Sequence, residues 1–318
     1  MMRRFVPIVV FVCMLLVSYK AFENPYSSSY LTSMKDQATP VANTEDALYK
    51  EIEEKAREYE KPAEDAVIHD VWKKMPGLNG LEVDIDKSYK KMKKKGKFEE
   101  SLLVYKQTKP EVSLNDLPAA PIFRGHPDKE MVSLNINVSW GEEYIPDILN
   151  ILKKNKVKAT FFIEGKWANK NVDLVEMIQE EGHEIGNHAY NHPDMSKISK
   201  DEIQKQIKQT NDILQAITGE KPKWFAPPSG SWTDEVVEQA DLLGMETILW
   251  TVDTIDWKKP APEVMIRRVM SKLEGGSFVL MHPTTSVQNG LNDLILKIKQ
   301  KDYTIDTVTK MLDEKRLK

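Results

Sequence analysis

Beyond Asp128 the hydrophobic pattern is regular: short apolar runs alternate with longer stretches whose apolar residues recur every three or four positions. The runs predict strands over 132–137, 159–163, 184–187, 224–226, 246–252, 278–281 and 303–305. The amphipathic stretches predict helices over 142–155, 172–181, 200–218, 234–243, 262–273 and 291–300. Such alternation implies a parallel sheet, because each parallel pairing needs a crossover and a helix usually supplies it. Seven strand-helix units suit a parallel barrel or a wound sheet, and the number favours an incomplete barrel. On the first strand Val132, Leu134, Ile136 and Val138 share one face, and Ser133, Asn135 and Asn137 the other.

Upstream the pattern is looser. Leu48, Ile52, Ala56 and Tyr59 form one stripe at helical spacing, which Pro62 ends. After the Pro76-Gly77 turn, Leu81, Val83 and Ile85 alternate as in a strand, and a lysine-laden segment over 87–97 precedes a second strand over 102–105. These elements predict a small N-terminal α/β module over 44–114, thin for a core of its own. Pro118, Pro121 and Pro127, with Gly125 among them, mark a linker over 115–129 that leads into a main domain over 130–318. Residues 23–43, rich in Ser, Asn, Pro and Tyr without a period, read as a flexible tether.

Charge and composition then exclude some partners. A net charge of −4 leaves no footprint for nucleic acid. Six lysines between Lys90 and Lys97 either meet anionic cell-wall polymers or lipid headgroups, or form a solvated helix face. The single cysteine, Cys13, rules out an intrachain disulfide. Arg3 and Arg4 stand ahead of an apolar run over 5–17, so residues 1–22 read as a signal peptide or an uncleaved signal anchor. Val12 before Cys13 argues against a lipoprotein box. Both readings place the remainder outside the cytoplasm, secreted or anchored at the cell surface, with the membrane met only through this segment.

Candidate chemistry gathers at Gly-Asn-His-Ala-Tyr-Asn-His-Pro, residues 186–193. His188 and His192 stand four apart, so both imidazoles can face one point, and two nitrogens are half of a zinc site. The alternative is a surface turn whose histidines do nothing. Other polar residues fall at strand ends: Asn137 after the first, Pro227 and Pro228 after the fourth, Asp253 and Asp256 after the fifth, and His282 after the sixth. In a parallel barrel these ends share one face.

In this order the motifs resemble the polysaccharide deacetylases, the family 4 carbohydrate esterases with a NodB-like domain. His188-Ala189-Tyr190-Asn191-His192-Pro193 is similar to the family's His-Ser-x-x-His-Pro, Asp253-Thr254-Ile255-Asp256-Trp257 to its Asp-x-x-Asp-Trp, and Leu280-Met281-His282 to its Leu-x-His. The resemblance implies a distorted seven-stranded (β/α) barrel. It also implies removal of acetyl groups from peptidoglycan or a chitin-like polymer of N-acetylglucosamine by metal-activated water. It casts His188 and His192 as ligands of a divalent metal such as zinc or cobalt, His282 as general acid and Asp253 as its orienting carboxylate. Trp257, Trp232, Asp256, Pro227 and Pro228 would contact substrate.

Two motifs depart from the family. Leu134-Asn135-Ile136-Asn137-Val138-Ser139-Trp140-Gly141 stands where members carry Thr-Phe-Asp-Asp-Gly, which puts Asn137 at the base position and Val138 at the metal carboxylate. Relatives with Asp-x-Ser-Trp-Gly also lack the second Asp. A carboxamide cannot take a proton from water at neutral pH, and a general base contributes about 100- to 10,000-fold. In the third motif Ala226 replaces the Arg that pairs with the base, and Ser229 replaces an aromatic. The expectation is a disarmed or very weak deacetylase that retains glycan binding, with little or no metal; the alternative is an active metal-dependent hydrolase.

Overall fold

The computed structural model describes residues 10–14 and 47–317; the rest of the leader and the tether over 23–43 lie outside these. Among the described residues no helix is long and apolar enough to cross a membrane. The chain divides into two units, one formed by 1–58 with 83–104 and the other by 59–82 with 105–318. The predicted contiguous module over 44–114 is therefore split, because its middle and its end belong to the larger unit.

In the smaller unit, α1 (Ala47–Tyr59) buries Leu48, Ile52 and Ala56, three positions of the stripe read from the sequence. Helix α2 (Ile85–Met92) starts at Asp84, whose carboxylate accepts the Lys87 N–H at 3.0 Å. Tyr49 of α1 meets Tyr89 of α2 edge to face at 5.5 Å. Ile85 thus opens a helix instead of closing a strand, since the Asp84 cap ends the extended stretch. The segment expected as a strand over 102–105 begins as a short 3-10 turn, Glu100–Leu102.

The larger unit carries a small antiparallel pair, β1 (Val67–His69) with β2 (Lys73–Met75), and a second two-stranded sheet forms from β3 (Gly80–Val83) and β4 (Tyr105–Thr108). Its main sheet is parallel. The strands are β5 (Met131–Val138), β6 (Thr160–Ile163), β7 (Glu184–Asn187), β8 (Trp224–Phe225), β9 (Glu246–Thr247), β10 (Val252–Asp253) and β11 (Phe278–Met281). They run in the order β10-β11-β5-β6-β7-β8-β9, and β12 (Thr304–Ile305) pairs with the start of β5. The sheet curls into a seven-stranded half-barrel. One expected strand over 246–252 is in fact two, β9 and β10, which are the two ends of the sheet, so the barrel is open between them.

Alternation along β5 divides the core. Val132, Leu134, Ile136 and Val138 face outward into a layer with α3 (Ile145–Asn155), α5 (Val172–Glu180), α8 (Pro262–Met270) and α9 (Thr285–Lys299). On the inner side Met131, Phe162, Trp224 and Phe278 plug the lower interior together with Ile122 and Ile248. Above this plug the inward positions turn polar, which leaves the upper mouth to function.

The expected linker is structural. Ile122 is fully buried, its N–H donates to Thr247 O at 2.8 Å, and its carbonyl accepts the Leu249 N–H at 2.8 Å. Three residues on, the Gly125 N–H donates to Gly276 O at 2.9 Å, just ahead of β11. This segment therefore stitches β9 to the entry of β11 across the open seam.

Candidate active site at the barrel mouth

A cavity of about 410 Å³ opens at the C-terminal ends of the strands. Strand β5 and the turn after it contribute Asn137, Ser139 and Trp140, the β7 loop His188 and His192, and the β8 loop Ser229. Trp250, Asp253, Trp257, Leu280 and His282 complete the wall. Residues distant in sequence converge as the strand-end argument expects. Non-glycine residues with positive φ also gather in these loops: Ala189 (59°), His192 (58°), Ser229 (56°), Ile255 (51°) and Lys259 (51°). Strain of about 1–3 kcal/mol at each persists only where the surroundings enforce it.

The two imidazoles meet through a turn, not a helix. Asn187 Oδ1 accepts the Ala189 N–H at 2.8 Å, and Gln206, on α6 (Lys200–Thr218), accepts the N–H groups of Tyr190 and Asn191. The rings of His188 and His192 lie 5.2 Å apart at 71°. His188 Nδ1 donates to the Ala226 carbonyl at 2.7 Å, which fixes its tautomer and leaves Nε2 as a bare acceptor. Burial pushes His188 down to about 3, His192 adds to this, and the bond to Ala226 opposes it. Burial also lowers His192. Both rings are therefore neutral at neutral pH, the form a metal or a hydrogen-bond donor requires.

At His282 the geometry differs from the expected pairing. The carboxylate beside it is Asp256: Oδ1 lies 2.9 Å from His282 Nδ1, and Oδ2 accepts the His282 backbone N–H at 2.7 Å and the Thr284 hydroxyl at 3.3 Å. Asp256 is fully buried and lies outside the cavity lining, so its carboxylate is placed to orient the imidazole. Asp253 instead lines the cavity, and its Oδ1 accepts the Ile255 N–H at 2.8 Å. That short turn, with Ile255 in the left-handed region, swings the next residue inward and exchanges the roles of the two acids. Trp257 does line the mouth, 52% exposed.

Three other expected contacts are absent from the cavity. Pro227 and Pro228 are buried, and Ser229 faces the mouth in their place. Trp232 packs edge to face on Phe123 at 6.3 Å, outside the lining. In return the mouth gains Trp140 and Trp250. The Ser-Trp-Gly turn after β5 carried that signal for Trp140, since an aromatic at a strand end belongs to the functional face.

The departures seen in the sequence have plain structural counterparts. Asn137 is 4% exposed and faces the cavity, whereas Val138 is fully buried among the helix-facing residues. Ala226 packs with Trp224 and Ile122 in the barrel plug, so its side chain contributes nothing to the mouth. Asp253 is the one carboxylate among the cavity-lining residues. Glu164, at the end of β6, is buried and its carboxyl is raised by burial, but it stays outside the lining.

The family pattern for polysaccharide deacetylase matches residues 124–248. A peptidoglycan-N-acetylglucosamine deacetylase of Bacillus cereus is 34% identical over 194 residues, 59% of this chain and 70% of that protein. The chain belongs to the polysaccharide deacetylase family. Within that family it is 50% identical, over its whole length and 99% of the other, to the uncharacterized protein YlxY of Bacillus subtilis. It is also similar to a solved structure, BA3943 of Bacillus anthracis, described as a CE4 family pseudoenzyme. The identity there is 51% and the TM-score 0.83, over 85% of this chain and 96% of the other. A mutant of BA3943 is described as having restored enzymatic activity.

Deacetylases of this family are metal-dependent, so the donor set decides what the mouth can do. Catalytic zinc commonly takes three protein ligands, and among the described residues no third His, Cys, Asp or Glu stands close enough to share an ion with these two imidazoles. Among the described residues, the grouping of three His, Asp or Glu side chains close enough to share an ion is Glu64, His126 and Asp128, away from this cavity. Glu64 is already paired there with Arg316 at 2.9 Å. The residues at the mouth thus do not make up a catalytic metal centre.

Proposed function

We propose that this protein is a disarmed deacetylase of the bacterial cell envelope that binds an N-acetylated glycan at the barrel mouth and hydrolyses it very weakly or not at all. The observation that carries this reading is Asn137: it occupies the base position, faces the cavity and is neutral at every physiological pH. Its carboxamide donates and accepts hydrogen bonds, which suits an acetamido group but not proton abstraction from water. His282, held by Asp256, presents its other nitrogen toward the same space, and Trp257 offers an apolar wall for a sugar ring. His188 and His192 would hold a zinc or cobalt ion weakly at most, since no third ligand group lies close to them among the described residues. The basic start and apolar run over 1–17, with relatives named as peptidoglycan deacetylases, support a peptidoglycan-like polymer outside the cytoplasm as the ligand.

The test is to give the full chain N-acetylated chitooligosaccharides and muropeptides, with and without zinc or cobalt, and to measure both binding and released acetate. Binding without acetate release is the expected result, and turnover at the rate of the Bacillus cereus relative overturns it. One observation supports an active alternative: Asp253 is a carboxylate at the mouth and could serve as a replacement base. If acetate is released by the unaltered chain and lost in Asp253→Asn, that alternative stands and the disarmed reading falls.

A further inference from the structure

The turn leaving β5 carries an aromatic side chain to which no role has been given. The Trp140 ring lies parallel to the His282 imidazole, with centroids 6.0 Å apart and 9° between planes, yet the residue is 43% exposed. It lines the same cavity as Trp257, which is 52% exposed. An indole ordinarily buries most of its large apolar surface, so two left open toward one cavity are unused contact area. Backbone packing fixes the position of Trp140. Gly141, at φ 82°, lies so close to Pro283 that a Cβ would stand 2.2 Å from its carbonyl oxygen. The turn after β5 is thereby pressed against the residue that follows His282, and only glycine permits that approach.

We propose that Trp140 is a ligand-binding residue whose open indole face serves, beside Trp257, as a second platform for a pyranose ring of a polymer of N-acetylhexosamine units. The inference rests on the glycan-binding reading above and adds to it a residue and a preference for chain length. A pyranose presents a flat C–H face that stacks on an indole, while hydroxyls at its rim bond to polar groups such as Asp253. Two platforms on one cavity favour successive rings, so affinity rises from N-acetylglucosamine to its trimer.

Isothermal titration calorimetry of the full chain with N,N′,N″-triacetylchitotriose tests this. Trp140→Ala is expected to weaken binding about fivefold to tenfold, and Trp140→Phe, which keeps a smaller π face, by clearly less. Trp140→Leu keeps apolar volume without a π face and is expected to bind as weakly as the alanine variant, which gives the answer if alanine lowers the melting temperature. Unchanged affinity in Trp140→Leu together with loss in Trp257→Ala overturns the role of Trp140 and leaves the glycan reading in place. Absence of trimer binding by the unaltered chain overturns both.

Discussion

The two sides of the barrel mouth have been kept to different standards. On the side built by β10 and β11, Asp256, His282 and Thr284 form a closed set of hydrogen bonds, and Trp257 stands beside it. On the side built by β5 and β8, the three positions that carry charge in the family pattern are neutral, namely Asn137, Val138 and Ala226, and Ser229 stands where the pattern has an aromatic. The difference follows from what each side chain supports. Asp256 satisfies a backbone N–H and a hydroxyl inside the protein, so its loss would leave buried donors unpaired. A base Asp and its Arg support mainly each other and the reaction, so both can be lost together at little cost to folding.

The largest effect that would sharpen this contrast is catalytic. Asn137→Asp returns a carboxylate to the neutral side, and acetate release from N-acetylated chitooligosaccharide in the presence of zinc is expected to rise by about 100-fold or more. No gain would place the deficit also at Ala226 and Ser229. Next comes the side that is intact: Asp256→Ala should destabilise the protein by about 3 kcal/mol or more in urea denaturation, because it leaves three donors unpaired, the His282 backbone N–H, its ring nitrogen and the Thr284 hydroxyl, at about 1–3 kcal/mol each. A loss below about 1 kcal/mol would mean that the two sides do not differ as described.

A third measurement separates the frame from the mouth. Burial pushes His183 down to about 4 from its ordinary 6.5, and its Nδ1 accepts the Ala159 N–H at 3.2 Å. Between these two values the unfolded chain takes up a proton that the folded one refuses, so stability falls as pH drops from 6.5 to 4. The fall approaches about 3 kcal/mol, and His183→Asn, whose carbonyl can still accept that N–H, should flatten it. An equally steep curve in the variant would shift the acid sensitivity to other groups. The smallest effect is expected at Trp232→Ala: glycan affinity should stay within about twofold, since the ring packs on Phe123 outside the cavity.

Much of this was legible in the residues themselves. Alternation along β5 places Asn137 on the inner face, and strand-end placement gathers His188, His192 and His282, because both depend only on period and topology. The pairing at His282 was not legible. Asp253 and Asp256 are three apart in an irregular turn, and which one reaches inward depends on Ile255 adopting φ 51°. The break between β9 and β10 was hidden as well, since Leu249, Trp250 and Thr251 have the composition of a strand and nothing in their pattern marks an interruption. Proline-rich residues ahead of the barrel read as a linker because proline marks turns, yet Ile122 lies fully buried among them.

That buried stitch has a practical consequence for anyone shortening the gene. A fragment beginning at residue 130, where the recognisable repeat of strands and helices starts, would leave Thr247 and Leu249 with bare backbone groups and uncover Ile248 along an unprotected sheet edge. Such a fragment should aggregate on expression, whereas one that retains 115–129 keeps the edge covered.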